Sequence, residues 1–202
     1  MDPGALERTV VDYLANGARD DAAALAVRTH GPFVLGYLRA IIRELDDADD
    51  AFSIWAEAVW TGIGGFRGES TLAAWCYGVA WHAAHRVFRD PHRRRRATLS
   101  SKAAAHIVQE IRTSTASHLG TTAQTELAAL RQQLTPEEQT ILVLRLDRDL
   151  PWRDVAQILS TDDTIVSEAA ARKRYERVRI KVRDLAAAGG LLKRRSRDGD
   201  AS

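Results

Sequence analysis

Apolar side chains along this chain return every three or four residues, the spacing of a helix face, and no run alternates apolar with polar between turn residues as a half-buried strand would. The pattern predicts an all-α fold. Leu6, Val10 and Leu14 mark a short first helix, and Phe33, Leu35, Tyr37, Leu38, Ile41 and Ile42 a second that breaks near the acidic run from Asp46 to Asp50. That run opens a third helix, where carboxylates suit the positive end of the helix dipole, and its body carries Phe52, Trp55, Val59 and Trp60. The glycine-rich stretch from Gly62 to Gly68 ends it. Ser70 then stands as the N-cap of a long helix that stops at Arg89, just before Pro91.

Residues 91–125 differ in kind. Four consecutive arginines, Arg93 to Arg96, are followed by Ser, Thr, Ala and His with one weakly amphipathic piece around Ile107, Val108 and Ile111, which reads as a linker carrying a marginal helix. Beyond it, Leu127, Leu130 and Leu134 lead into Thr135-Pro136-Glu137-Glu138, which combines a capping threonine, proline at the first helical position and an acid able to close a capping box. A helix through Ile141, Leu142, Leu144 and Leu146 follows. Asp149 and Pro151 start a short helix with Trp152, Val155, Ala156 and Leu159 inward. After the polar turn from Ser160 to Thr164 a final helix runs to about Ala188, where Gly189 and Gly190 stop it. The expected organisation is two small helical domains, 1–90 and 126–190, joined by a flexible basic linker over 91–125, with a disordered tail over 191–202.

Composition narrows the possibilities. With 45% hydrophobic and 28% charged residues among 202, the chain is neither collagen-like, mucin-like nor wholly disordered. No apolar run approaches the roughly 18 to 20 residues that cross a bilayer, and Met1-Asp2-Pro3-Gly4 lacks the basic and apolar regions of a secretory signal, so the expectation is a cytoplasmic protein without a membrane partner. Cys76 is the single cysteine and supports neither an internal disulfide nor a cysteine-rich metal site. The net charge of +2 hides a division: residues 1–90 hold 8 Lys and Arg against 13 Asp and Glu, residues 91–202 hold 21 against 14. An acidic half and a basic half imply two surfaces with different partners, the basic one fitted to a polyanion.

The final helix concentrates that charge. Ala171, Tyr175, Val178, Val182 and Leu185 share its inward face. Between 172 and 183 the rest is Arg172, Lys173, Arg174, Arg177, Arg179, Lys181 and Arg183 against Glu176 alone. A short helix, a tight turn and a basic helix make a helix-turn-helix unit, whose second helix fits a DNA major groove; the competing reading is a solvated charged helix closing a bundle. In the helix from Thr71 to Arg89, Leu72, Trp75, Cys76, Val79, Ala80, Ala83 and Val87 form the apolar face, while Trp81 lies opposite with Gly78, His82, His85 and Arg89. Exposed aromatic and cationic groups together suit single-stranded nucleic acid, where rings stack on bases and arginines follow the backbone. The alternative, that Trp81 packs against another helix, stays equally open. His82 and His85 lack a third metal ligand at a suitable spacing, the Gly62–Gly68 stretch lacks the lysine of a phosphate-binding loop, and no Ser/His/Asp or paired-carboxylate arrangement emerges. The expectation is therefore a binding protein without catalysis, cofactor or metal.

Several segments resemble the extracytoplasmic-function class of bacterial RNA polymerase sigma factors, within the sigma-70 family. Asp47-Ala48-Asp49-Asp50-Ala51-Phe52 resembles the Asp-Ala-Glu-Asp-Leu-Val opening of the family's second region, and Phe66-Arg67-Gly68-Glu69-Ser70 with Trp75-Cys76-Tyr77-Gly78-Val79-Ala80 its Phe-x-Gly…Trp-Leu-Tyr-x-Ile-Ala segment. Leu134-Thr135-Pro136-Glu137-Glu138-Gln139, Leu142-Val143-Leu144-Arg145 and Leu150-Pro151-Trp152-Arg153-Asp154-Val155-Ala156 resemble the fourth region. The resemblance covers about 25–90 and 125–187. It departs at Ser53, where the family usually has glutamine, at Trp81-His82 in place of Arg-Asn, and in the turn 160–164, which lacks Gly-Ile-Ser.

The resemblance implies a transcription initiation factor whose partners are core RNA polymerase, through its β′ clamp helices and β flap, and promoter DNA, with an anti-sigma protein as a candidate regulator. Asp46, Asp47, Asp49, Asp50, Phe52 and Trp55 would dock on core polymerase. Phe66, Arg67, Trp81, His82, His85 and Arg89 would hold melted DNA, and Arg172, Lys173, Arg174, Arg177 and Lys181 duplex DNA. The competing assignment is a stand-alone helix-turn-helix regulator, which would need a dimerisation surface.

Overall fold

The computed structural model describes residues 3–89, 99–116, 130, 132–161 and 164–188. The arginine run 93–96, both ends of the expected linker (91–98 and 117–125), Leu127, Gly189, Gly190 and the expected tail lie outside these residues. Among the described residues the regular structure is helical, apart from one isolated antiparallel bridge between Thr161 and Thr164. The helices are α1 (Pro3–Ala15), α2 (Arg19–Ile41), α3 (Leu45–Gly62), α4 (Leu72–Arg89), α5 (Lys102–Ala116), α6 (Pro136–Leu142), α7 (Trp152–Leu159) and α8 (Glu168–Ala188).

α1 lays Leu6 and Val10 on α2, and Gly17 turns the chain between them in the left-handed conformation, φ +75°, which glycine adopts without a Cβ clash. α2 starts far earlier than the expected segment from Phe33. Pro32 sits inside it and removes one backbone donor. Ala22, Ala23, Ala26 and Val27 upstream and Val34, Leu35 and Leu38 downstream are nevertheless fully buried, so packing carries the helix through the proline. Gly31 has a separate use: a Cβ there would come within 2.5 Å of Ile111 Cδ1, so glycine is what lets α5 seat on α2.

α3 and α4 are fastened together. Trp55 of α3 stacks on Phe52, ring centroids 5.2 Å apart, and its indole Nε1 donates to the Cys76 carbonyl of α4 at 3.0 Å. The cap of α4 is Thr71 and not Ser70: Thr71 Oγ1 accepts from the Ala74 amide at 3.1 Å, while Glu7 of α1 accepts from the Leu72 amide at 3.0 Å. Segment 102–116, expected as a marginal helix in a linker, is a 15-residue helix packed on α2 and α3 through Ile107, Val108 and Ile111. Burial of that face outweighs its modest amphipathicity.

The Thr135–Glu138 capping box forms as the sequence predicts: Thr135 Oγ1 accepts from the Glu138 amide at 3.2 Å, and the Thr135 amide donates to Glu138 Oε2 at 2.8 Å. α6 then runs into a π-helical turn, Val143–Asp147, whose wider winding shifts the helix phase. Leu144 is buried there and Leu146 is 63% exposed. α7 buries Val155, Ala156, Ile158 and Leu159 while Trp152 is half-buried, and α8 crosses it with Ala171 and Val178 buried. The apolar cluster is continuous from Leu6 to Val178, because α6 packs on α2 and α7 on α4.

Candidate nucleic-acid and partner-binding surfaces

Three faces carry the chemistry singled out from the sequence. On α3, Asp46 is exposed and Asp47, Asp49 and Asp50 are partly exposed around the helix start. Asp49 is already engaged. Arg39 Nη2 donates to its Oδ1 at 3.0 Å, and Arg112 of α5 donates to its backbone carbonyl and, at 2.7 Å, to Ser53 Oγ. Phe52 and Trp55 are fully buried, so their rings hold α3 in the bundle instead of facing outward. They follow the acidic start of α3 within the same motif but lie on the face of the helix that packs into the bundle.

On α4 the expectation of an exposed aromatic face needs correction. Trp81 is 1% exposed and Phe66 is buried, its ring edge-on to Trp75 at 5.9 Å. The face opposite the α3 seam is itself covered, because α7 packs across it: a Cβ at Gly78 would lie 3.8 Å from Ile158. Arg67, His82 and Arg89 remain exposed and His85 is half-buried beside Trp81, ring centroids 4.3 Å apart. Trp81 Nε1 and His85 Nδ1 are buried with no hydrogen-bond partner. Burial holds the His85 imidazole below its ordinary range, with nearby Glu137 opposing and His82 and Arg89 adding to the effect.

The third face, α8, stays as open as its sequence suggests. Arg172, Lys173 and Arg177 are exposed, and Arg172 reaches Glu168 one turn back at 3.2 Å, a surface pair that is worth little in water. Arg174 and Arg177 line a cavity of about 290 Å³ with Glu137, Glu138, Ile141 and Val178. Lys181 is spoken for: its Nζ donates to Glu138 Oε2 at 2.7 Å, tying α8 to the α6 cap. Burial alone would raise the Glu138 carboxyl, but Lys181 and the Thr135 amide outweigh it and lower it overall.

Sequence reasoning missed the residues that join the chain's two ends. Tyr37 Oη lies 3.0 Å from Thr140 Oγ1, and Arg153 Nη2 donates to the Glu69 carbonyl at 3.0 Å. Arg148 stacks over Phe33 at 4.2 Å, and Arg145 over Trp152 at 4.6 Å. Close to Arg148, burial pushes the Tyr77 phenol up to about 12 and the His30 imidazole down to about 4, the latter opposed by Glu7 and reinforced by Arg148. The Tyr37–Thr140, Glu69–Arg153 and Phe33–Arg148 contacts span more than 80 residues of sequence and left no local signal beyond the residue types themselves, whereas Arg145 and Trp152 are near neighbours in the chain. Among the described residues no three His, Cys, Asp or Glu side chains gather as metal ligands, and no helix is long and apolar enough to cross a membrane.

The bundle thus presents an acidic helix, an aromatic helix and a cationic helix in that order. Residues 26–96, which hold most of α2 and all of α3 and α4, match Sigma-70 region 2. The chain is also 25% identical over 146 residues to RNA polymerase sigma factor YlaC of Bacillus subtilis (strain 168), a match that covers 71% of this chain and 82% of that protein. The chain is therefore similar to sigma factors of the sigma-70 family, most directly over the second region.

Proposed function

We propose that the protein docks on core RNA polymerase through the acidic start of α3 and directs it to promoters by two separate DNA contacts, with no chemistry of its own. The two contacts sit in two functional units, 1–90 and 126–190, and the intervening basic segment runs between them through the polymerase. α8 meets duplex DNA: Arg172, Lys173, Arg174 and Arg177 neutralise phosphates, while Lys181 is held by Glu138 and contributes less. α4 and the segment before it meet melted DNA, with the exposed His82 and half-buried His85 offering rings and Arg67 and Arg89 following the backbone. The β′ clamp helices receive α3, the β flap receives the α6–α8 unit, and the place of action is the cytoplasm. An anti-sigma protein that covers these faces is the expected form of control.

The observation that carries this reading is α8. Among its 21 residues only Ala171 and Val178 are buried, and between residues 172 and 183 Arg172, Lys173, Arg174, Arg177, Arg179, Lys181 and Arg183 stand against Glu176 alone, an imbalance that a helix merely closing a bundle has no reason to carry. The test is a mobility-shift assay with and without core enzyme. The chain alone should bind promoter duplex at about micromolar Kd or weaker with little sequence preference, and core should convert this into specific binding. Reversing the charge of Asp46 and Asp50 should abolish association with core while leaving the melting curve unchanged. Nanomolar sequence-specific binding by the isolated chain, as a dimer on a palindrome, would replace the reading with a stand-alone regulator.

A further inference from the structure

Ile165 is 92% exposed, more than any other large apolar side chain among the described residues, and it stands just before the cap of α8. A lone surface isoleucine is ordinary and by itself says nothing. This one is held in place. The Thr161 amide donates to the Thr164 carbonyl at 2.8 Å and the Thr164 amide to the Thr161 carbonyl at 3.1 Å, which fixes the residue before it. On the other side the Val166 amide donates to Ser160 Oγ at 3.0 Å, and that hydroxyl is anchored on the Ala156 carbonyl of α7 at 2.8 Å. Val166 is buried in the bundle, and Ile165 is left facing solvent.

The groups around Ile165 decide what it can recognise. From Asp154 to Ala171 the sequence holds no lysine or arginine, so the entry to α8 has no cation for a phosphate, and the first one is Arg172. The Ser167 hydroxyl accepts from the Ala170 amide at 3.2 Å, and the Glu168 carboxylate accepts from Arg172 at 3.2 Å. Thr164, Ile165 and Ala169 are exposed, so this end of the helix presents mainly methyl groups. In a helix-turn-helix the N-terminal end of the second helix meets base edges, and the apolar feature on the major-groove edge of a base pair is the C5 methyl of thymine.

We propose that the entry to α8 reads a thymine through its C5 methyl, with Ile165 as the residue that sets this specificity and Ala169 beside it. The inference rests on the reading of α8 as the duplex contact. Arg172, Lys173 and Arg177 hold phosphates and carry no sequence information, and Ile165 supplies it at one position. Because its neighbours are pinned on both sides, the contact costs little ordering. Cytosine at that position lacks the methyl and presents an amino donor, which Ile165 would leave unpaired.

Removing one methyl group from the DNA tests this. Holoenzyme reconstituted from core RNA polymerase and the full chain selects duplexes from a randomised library. Each thymine of the selected motif is then replaced in turn by uracil, which differs only in lacking the C5 methyl, and binding is read by mobility shift. At one thymine the parent should lose affinity about fourfold, the contribution of one buried methyl group. Ile165→Ala should bind the thymine duplex as weakly as the parent binds the uracil duplex, and should lose nothing further on the replacement. Its melting curve and salt slope should match the parent's. Arg172→Ala serves as the reference, with weaker binding, a lower salt slope and an unchanged response to uracil. A motif without thymine, or a uracil response that is the same in the parent and in Ile165→Ala, overturns the inference while Arg172→Ala still reports the phosphate contact. If Arg172→Ala also binds as the parent does, with the same salt slope, α8 does not meet duplex DNA and both readings fall.

Discussion

The two seams of α4 hold the same residue type in different ways. Toward α3, Trp55 is buried with its ring stacked on Phe52 and its N–H given to Cys76 O. Away from α3, Trp81 is equally buried beside His85, yet its N–H has no acceptor among the described residues. The first ring is fixed by packing and a hydrogen bond, the second by packing alone. Burial by itself therefore does not say how firmly a ring is specified in this protein.

The largest break in that comparison comes from the first seam. Trp55→Ala should lose about 3 to 5 kcal/mol, the usual cost of truncating a buried aromatic, and a denaturant melt should show it directly. Next comes acidity. His30 sits where α1, α2 and the α6–α7 connection meet, facing Glu7 and Arg148, and its pKa is lowered to about 4 from 6.5. Because the folded protein holds this imidazole neutral, the stabilisation is complete above pH 6.5, fades as pH falls through that window and is gone near pH 4, a loss of about 3 kcal/mol at most. Melts at pH 7.5 and pH 5 should differ, and His30→Gln should flatten the difference, leaving a residue from His85, which is shifted in the same direction.

A finer contrast uses phenylalanine, which keeps a large ring and drops the N–H. Trp55→Phe should cost about 1 kcal/mol or more, since the Cys76 carbonyl loses its donor, whereas Trp81→Phe should cost less because no hydrogen bond is broken. Equal losses in the two variants would remove the distinction between the seams. Smallest in stability is the α8 surface: Arg172→Ala or Lys173→Ala should stay within about 0.5 kcal/mol of the parent. Each should instead lower the salt slope of promoter binding by holoenzyme by about one unit.

Much of the fold was legible because its signals are local. The Thr135–Glu138 box, the acidic start of α3 and the break after Gly62 each depend on residues within one or two turns, and each forms where the sequence places it. The cationic side of α8 was legible for the same reason, since exposure leaves charge free to follow composition. Elsewhere a distant segment had intervened. The apolar spacing opens the second helix only near Phe33, whereas α2 begins at Arg19 and passes through Gly31-Pro32, with α5 arriving from eighty residues away to pack at the glycine. Trp81, for which solvent and a neighbouring helix were both open on periodicity, is buried.

The sequence by itself determined the helical class, the Thr135–Glu138 cap and the order of acidic, aromatic and basic helices, since these follow from periodicity, short-range hydrogen bonding and charge. Only the tertiary structure decided that Phe52 and Trp55 face inward, that Arg112 and Arg39 hold Asp49, that Lys181 is tied to Glu138, and that α7 rests on α4. Those outcomes depend on which surfaces meet. Periodicity says that a helix has a face to bury, and it cannot say whether a second face will be buried as well, because that depends on a partner encoded up to eighty residues away.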